Sequence, residues 1–519
     1  MPDANSIAVT ERVRSNPDPS SSPLRASILK LLSLQHSDTD LDFRISEFLD
    51  VDNFSEGIAH WFGADFLRGK SVSSVKRLID RDIAELDDAI NRTVNAIMHD
   101  ERFQKVESLW RSVEWLLQDI SSDDGIEIRL LDARWSEIVK DLDKVPEFDQ
   151  SEMFNKIYNE EFGMPGGIPY SLLIGDYYMR HRPSPEHPTD DVSGLRNFSK
   201  VAAASFAPFV TGVSPTLFGV DHYSELDLRQ SIALTLKQVE YARWRSLQEN
   251  PDGRFIGLAA PRFLMRRSHR GRSIADPGFI YREIIGRSDN TDRLWANGAF
   301  AFAQIAIRAF MDYRWLAAIR GTPQDMVAGG VVSGSPHEDF ETESSGTAVK
   351  FSPEVALSEV LDRDLNENGF ICLRPCKETS FSAFYSLPSM HRSTRNYGSA
   401  IARANEQLSA MLNYVLCVSR FAHYIKVIAR DWVGSYKSAQ DCQKLLQQWL
   451  HKYCSGDTDA TFEMKSRYPL QDGRVSVSEI PGQPGHYNCT LALKPHFQLD
   501  QIISEFQVVT NLDNIKRAA

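Results

Sequence analysis

Six aliphatic residues, Ile79, Ile83, Leu86, Ile90, Val94 and Ile97, recur at steps of four, three, four, four and three. That spacing is one stripe of a 3.6-residue period, so it predicts a long amphipathic helix with an apolar face to cover. Arg81, Asp82, Glu85, Asp87, Asp88 and Arg92 fill the opposite side. A second helical pattern follows through Phe103, Val106, Trp110, Val113 and Leu117. The expectation for both is amphipathic helices packed on a sheet.

The rest of the chain alternates between the two periods. Gly125 breaks the helical pattern and residues 126–131 (Ile-Glu-Ile-Arg-Leu-Leu) alternate as a strand does. A turn cluster at 163–169 precedes the apolar run Tyr170-Ser-Leu-Leu-Ile174, which ends at Gly175-Asp176 and fits a buried strand. Residues 201–209 look helical until Pro208; 255–258 and 315–319 read as strands and 296–310 as a helix rich in small residues. From 322 to 350 the composition shifts to Gly, Ser, Glu and Asp, the mark of an exposed loop. Leu408, Met411, Val415, Val418, Ala422 and Ile425 mark a helix over 405–428, and a shorter one covers 441–453. Residues 474–480 and 487–493 then alternate on either side of a Pro-Gly-Gln-Pro-Gly turn, which is a hairpin pattern.

The fold class expected is α/β, in the mixed α+β sense, with a multi-subdomain body and a strand-rich C-terminal segment. The division expected is an arm over 1–70, a body over 71–455 and a C-terminal β-rich segment over 456–519. The arm is rich in Ser, Pro, Asp and Asn through Pro23 and reads as partly disordered. Its apolar stretch, Ile28, Leu29, Leu31, Leu32 and Leu34, is too short to stand as a helix alone and is expected to dock on the body.

Composition narrows the function. A chain of 519 residues with 42% hydrophobic content can build its core without staples. A net charge of -12 works against general nucleic-acid binding, which needs a basic face to release counterions from phosphates. Six cysteines show no metal or redox spacing, since Cys372 and Cys376 are separated as C-x-x-x-C; they read as free thiols of a reducing compartment. Residues 1–5 (Met-Pro-Asp-Ala-Asn) lack the features of a signal peptide, and no run of about 18 apolar residues occurs, so a cytoplasmic protein without membrane insertion is expected.

Catalytic constellations do not emerge. There is no G-x-x-x-x-G-K-[ST] phosphate loop, no G-x-S-x-G elbow and no H-E-x-x-H pair. His337-Glu338-Asp339 lies in the polar loop, where nothing would hold a metal ligand rigidly, and His423 reads as a hydrogen-bonded packing residue. Asp176, after its strand, has the position of a general base but no partner tied to it by spacing. The densest basic cluster, Arg262, Arg266, Arg267, Arg270 and Arg272, reads as a solvated loop, with an anion or RNA patch as the alternative. No catalytic, cofactor or metal residue is therefore assigned.

Ten segments, in order, resemble the large sheath subunit of type VI secretion systems, the TssC or VipB family. They are Phe103-Gln-Lys-Val-Glu-Ser-Leu-Trp-Arg111, Pro169-Tyr-Ser-Leu-Leu-Ile-Gly-Asp-Tyr177, Ala207-Pro-Phe-Val-Thr-Gly-Val-Ser-Pro215, Tyr241-Ala-Arg-Trp-Arg-Ser246 and Pro261-Arg-Phe-Leu264. The others are Trp295-Ala-Asn-Gly-Ala-Phe300, Trp315-Leu-Ala-Ala-Ile-Arg-Gly321, Ser419-Arg-Phe-Ala-His-Tyr-Ile-Lys426, Arg467-Tyr-Pro-Leu470 and Pro495-His-Phe-Gln-Leu-Asp500.

The resemblance implies a phage-tail-sheath-like protomer, structural and not enzymatic. It implies pairing with a small TssB-like subunit, stacking around an Hcp-type inner tube, and contraction from an extended, higher-energy lattice. Strands of neighbouring protomers would complete a shared sheet. On that basis Val475, Val477, Ile480, Tyr487, Leu491, Leu493, Phe497 and Leu499 are candidates for the assembly interface, and Asp441, Lys444 and Gln448 for contact with the inner tube. The baseplate and a ClpV-type unfoldase are further candidate partners.

The resemblance weakens before about Lys70. Residues 41–48 and 59–63 do not look like the common large subunit, which there carries a linker strand and the helix read by the unfoldase. The loop after Arg320 also lacks the family's triple glycine. A paralogue that caps or modifies a sheath is the alternative these departures imply.

Overall fold

The computed structural model describes residues 28, 45–46, 48–63, 67–164, 166–228, 231–270, 278–286, 292–323, 326–338, 350–377, 379–392, 406–431, 438–457, 460–479, 487–496 and 506–512. The chain forms two compact units, Met1–Asp100 with His269–Ile284, and Glu101–Ser268 with Ile285–Ala519. Most of the N-terminal apolar stretch and of segment 41–48 lies outside the described residues.

In the first unit, α1 (Phe54–Phe62) is capped by Asn53, whose side chain accepts from the Ser55 N–H, and stops at Gly63. The α2 helix (Val72–Met98) starts at the Ser71 cap. The indole N–H of Trp61 donates to Asp82 at 2.9 Å and joins the two helices. The returning segment is held by asparagines of α2. Asn91 Oδ1 accepts from the Arg282 N–H at 2.8 Å, and Asn95 Oδ1 from the Ile284 N–H at 2.8 Å and the Tyr281 hydroxyl at 3.1 Å. The expectation that the α2 stripe packs on a sheet is not met: Ile83, Ile90 and Ile97 are 51%, 43% and 54% exposed.

The second unit opens with α3 (Glu101–Leu117) and α4 (Trp135–Lys144). Its central sheet has six strands: β1 (Leu173–Met179), β2 (Phe209–Val213), β3 (Ile256–Ala260), β6 (Val331–Val332), β7 (Ile371–Pro375) and β8 (Ser382–Phe384). They lie in the order β1-β2-β3-β7-β8-β6. The first four pair in parallel, and β8 runs antiparallel to both β7 and β6. Both faces are covered, which explains why the strands read as apolar runs. Along β3, Ile256, Leu258 and Ala260 enter a core shared with α4 and α5 (Asp191–Ala204), while Ala259 enters a second core with α6 (Gly298–Tyr313). A two-stranded ribbon of β4 (Phe263–Leu264) and β5 (Trp295–Ala296) precedes α6, and α7 (Glu359–Glu367) leads into β7.

Local readings move in several places. Residues 126–131 are not a strand, and Leu130 and Leu131 are exposed. Residues 315–319 are irregular, with Trp315 buried in a core. The helical reading from 201 up to Pro208 is shortened: the helix ends at Ala204, and Phe209 opens β2 just after the proline. In the loop expected to be exposed, Ala328, Val331, Val332, Ser335 and Glu338 are buried.

The C-terminal part contains α8 (Leu412–Asp431), α9 (Ala439–His451) and α10 (Phe462–Arg467), followed by β9 (Leu470–Glu479), β10 (Tyr487–Pro495) and β11 (Phe506–Leu512). The three strands form an antiparallel sheet in the order β11-β10-β9. The hairpin over 474–493 is present, and β11 was not anticipated. A third core joins this sheet to α8 and α9, with Trp315 stacked on Phe421 at 4.2 Å and Tyr453 edge-on to both.

Candidate assembly surfaces

The C-terminal sheet owes its arrangement to alternation. On β9, Val475 and Val477 point into the third core while Arg474, Ser476 and Ser478 are exposed. On β10, Cys489, Leu491 and Leu493 point inward, and the register sets Leu491 opposite Val475 and Cys489 opposite Val477. Tyr487 is partly buried at the strand start. Five of the assembly candidates, Val475, Val477, Tyr487, Leu491 and Leu493, therefore lie together, with side chains turned to this chain's own helices. Ile480, Phe497 and Leu499 lie outside the described residues. What such a sheet offers a neighbour is the backbone at its edges.

The inner-tube candidates share α9. Asp441 closes the helix start in a capping box with Ser438, its carboxylate accepting from the Ser438 hydroxyl at 2.7 Å. Asp441, Lys444 and Gln448 are all exposed, while Cys442, Leu446 and Leu450 are buried.

Two helices present apolar stripes to solvent. On α2 these are Ile83, Ile90 and Ile97, spaced by seven residues. On α3 they are Phe103, Val106, Trp110 and Leu117, while Val113 and Leu116 are buried. Seven-residue spacing keeps one line of a helix facing a partner.

The remaining sequence candidates are absorbed by the fold. The arginine cluster is not the solvated loop expected. Arg262 forms a two-pronged pair with the buried Glu354 at 2.7 and 2.8 Å. The buried Arg266 meets Glu107 at 2.9 Å, and Arg111 reaches the same carboxylate at 2.8 Å. Arg267 contacts His337 at 3.2 Å, Arg270 belongs to the first unit, and Arg272 lies outside the described residues. An open depression of about 400 Å³ beside Arg111, Arg266 and Arg267 is thus neutralised by Glu107 on two of its three arginines. Glu338 is buried against Arg293 and Ser268, and Asp339 lies outside the described residues.

Asp176 sits inside β1 and not beyond its end. The register there slips, with Gly175 opposite Thr211 and Tyr178 opposite Gly212. The carbonyls of Gly175 and Tyr177 accept from Thr211 Oγ1 at 3.0 Å, and Asn297 Nδ2 donates to the Tyr177 carbonyl at 3.0 Å. A Cβ on Gly212 would lie 2.6 Å from Asn297 Oδ1, so glycine is required for this approach. Burial pushes the Asp176 carboxyl up to about 6, against the pull of Asn297 and Lys105. His423 Nε2 meets the Ser205 carbonyl at 2.9 Å, and burial pushes its ring down to about 3, so it is a neutral packing group. Among the described residues no cluster of His, Cys, Asp or Glu has metal-holding geometry, and no helix is long and apolar enough to cross a membrane.

The second unit thus combines a doubly covered sheet with a small three-stranded sheet whose edge strands are β9 and β11, and comparison with known proteins gives its class, a tail-sheath protein. Residues 80–391 match the family described as EvpB/VC_A0108, tail sheath N-terminal domain, and residues 401–512 match its tail sheath gpW/gp25-like domain. The chain is 37% identical over 452 residues to the type VI secretion system sheath protein TssC1 of Pseudomonas aeruginosa, covering 86% of this chain and 87% of that protein. The chain belongs to the type VI secretion TssC/VipB sheath family.

Proposed function

We propose that this chain is the large structural subunit of a cytoplasmic contractile sheath. It pairs with a small TssB-like subunit, surrounds an Hcp-type inner tube and drives effector injection by contraction. The observation that carries the reading is the tail-sheath match through both parts of the chain, from 80 to 512 with a gap of nine residues (392–400). The exposed stripes of α2 and α3 support the pairing, since a subunit that works only in an assembly leaves apolar faces for its partners to cover. The 456–519 segment is the assembly part, and an edge of its sheet is where a neighbour's strand joins. Nothing in this role requires catalysis. A second reading, a paralogue that caps or modifies a sheath, is favoured by the family match beginning only at residue 80.

Co-expression with the cognate small subunit, followed by negative-stain electron microscopy, tests the proposal. Long hollow tubes are expected. A soluble heterodimer without tubes would favour the capping paralogue, and no binding to the small subunit would refute both readings.

A further inference from the structure

A three-stranded sheet has two edges, and here they are β9 and β11. In an antiparallel edge strand every second residue turns both its N–H and its C=O away from the sheet. In β9 those residues include 473, 475, 477 and 479, and at 473, 475 and 477 side chains of α9 meet three of the outward groups. The Val475 N–H donates to Gln447 Oε1 at 2.8 Å, Gln447 Nε2 donates to the Gly473 carbonyl at 2.7 Å, and the Val477 N–H donates to Gln443 Oε1 at 3.1 Å. Gln443 and Gln447 are one helical turn apart on α9, so their amides stack along the edge as two rungs of a strand would. A primary amide is the side chain that can do this, because it accepts and donates from one planar group as a peptide does.

The surrounding packing holds the helix in place for the purpose. Leu446 and Leu450 of α9 are fully buried against Val475 and Val477. A Cβ at residue 473 would lie 2.7 Å from Leu450 Cδ2, so Gly473 permits the close approach that brings the glutamine amides within reach. Exposed strand edges pair promiscuously, and a protein that assembles by adding strands is the one for which a wrong edge costs most.

We infer that Gln443 and Gln447 close the β9 edge, so that an extended strand from a second copy of this chain adds to the sheet only beside β11. The inference rests on the sheath reading for its partner, while the closure itself is a property of the single chain. Each residue is a positioning residue: it acts on backbone groups of β9 and leaves the core untouched.

Amide hydrogen exchange on the full chain, purified with its small subunit, tests the closure. In Gln443→Ala/Gln447→Ala the Val475 and Val477 amides are expected to exchange about tenfold faster or more, with the β10 amide of Leu491 unchanged. Unchanged exchange at 475 and 477 would overturn the closure. Because an acceptor alone serves Val477, Gln443→Glu is expected to keep that amide protected; Gln447→Glu loses the donor to Gly473 and should protect less well than wild type. Light scattering and electron microscopy test the direction of assembly. The double variant is expected to form irregular aggregates beside or instead of regular tubes. Adding Val477→Pro, which removes an outward N–H and blocks strand addition at β9, should suppress them. A double variant with raised exchange that assembles as wild type does would overturn the directional claim. If the wild type forms no tubes, the sheath reading fails, and the exchange and aggregation of the purified chain still decide the closure.

Discussion

At the scale of single residues, a partly buried carboxyl and a buried imidazole make the stability of this protein depend on pH in opposite senses. Asp176 has its carboxyl raised from 3.8 to about 6, so between those values the folded state holds the proton that the unfolded chain has lost. Stability from this group therefore rises as pH falls from 6 toward 4, and above 6 the desolvated charge costs on the order of 3 kcal/mol. Asp176→Asn is expected to raise the melting temperature at pH 7.5 and to lose that advantage by pH 4, as thermal denaturation across pH would register. His423 acts the other way. Its ring is held down at about 3 from 6.5, so its contribution is complete above 6.5 and is lost as pH falls from there toward 3. His423→Gln is expected to flatten that part of the acid limb, seen in the same melts as a shallower slope between pH 6.5 and 4.5. The position of Asp176 could not be placed from its neighbours alone. The apolar run before it suggested a strand end, and only the register slip against Thr211 shows that the strand continues through it.

At the scale of elements, α2 and the C-terminal sheet carry the consequences. The isoleucines of α2 are about half exposed and lie outside the cores, so Ile83→Ser/Ile90→Ser/Ile97→Ser is expected to leave helical circular dichroism unchanged and to lower the melting temperature only slightly. The same variant should weaken binding of the small subunit by at least about tenfold in a pull-down titration, since each large apolar group withdrawn from water at an interface contributes about 1.5–3 kcal/mol. Retained affinity would remove α2 from the partner surface. Gly473→Ala tests the helix-to-strand approach: a methyl group 2.7 Å from Leu450 Cδ2 is expected to destabilise by about 1–3 kcal/mol in denaturant unfolding, with no loss of solubility of the complex. The periodicity of α2 was legible, and so was the hairpin of β9 and β10. What α2 would lie against was not legible, because periodicity marks an apolar face without saying whether its own chain or another covers it.

At the scale of the whole molecule, the chain combines an α/β core with apolar stripes left exposed on α2 and α3, which the proposed sheath role would cover. Expressed without its small subunit, it is expected to aggregate or sediment, and co-expression should return it to the soluble fraction as a defined complex; high solubility alone would argue against buried partner faces on α2 and α3. The basic cluster illustrates why charge read along a sequence misleads at this scale. Arg262 and Arg266 looked solvated because their countercharges, Glu354 and Glu107, are far away in the chain and meet them only after folding. By itself the sequence determined the class of fold, through alternation of 3.6- and 2-residue periods, and the family, through ordered local segments. Those are properties of neighbouring residues, and neighbours are what a sequence keeps together. Tertiary structure alone decided which apolar stripes stay uncovered, which arginines are neutralised, and which strand edge is closed. Each of these depends on a pair of groups distant in the chain, and the free energy that joins them exists only once the intervening core has packed.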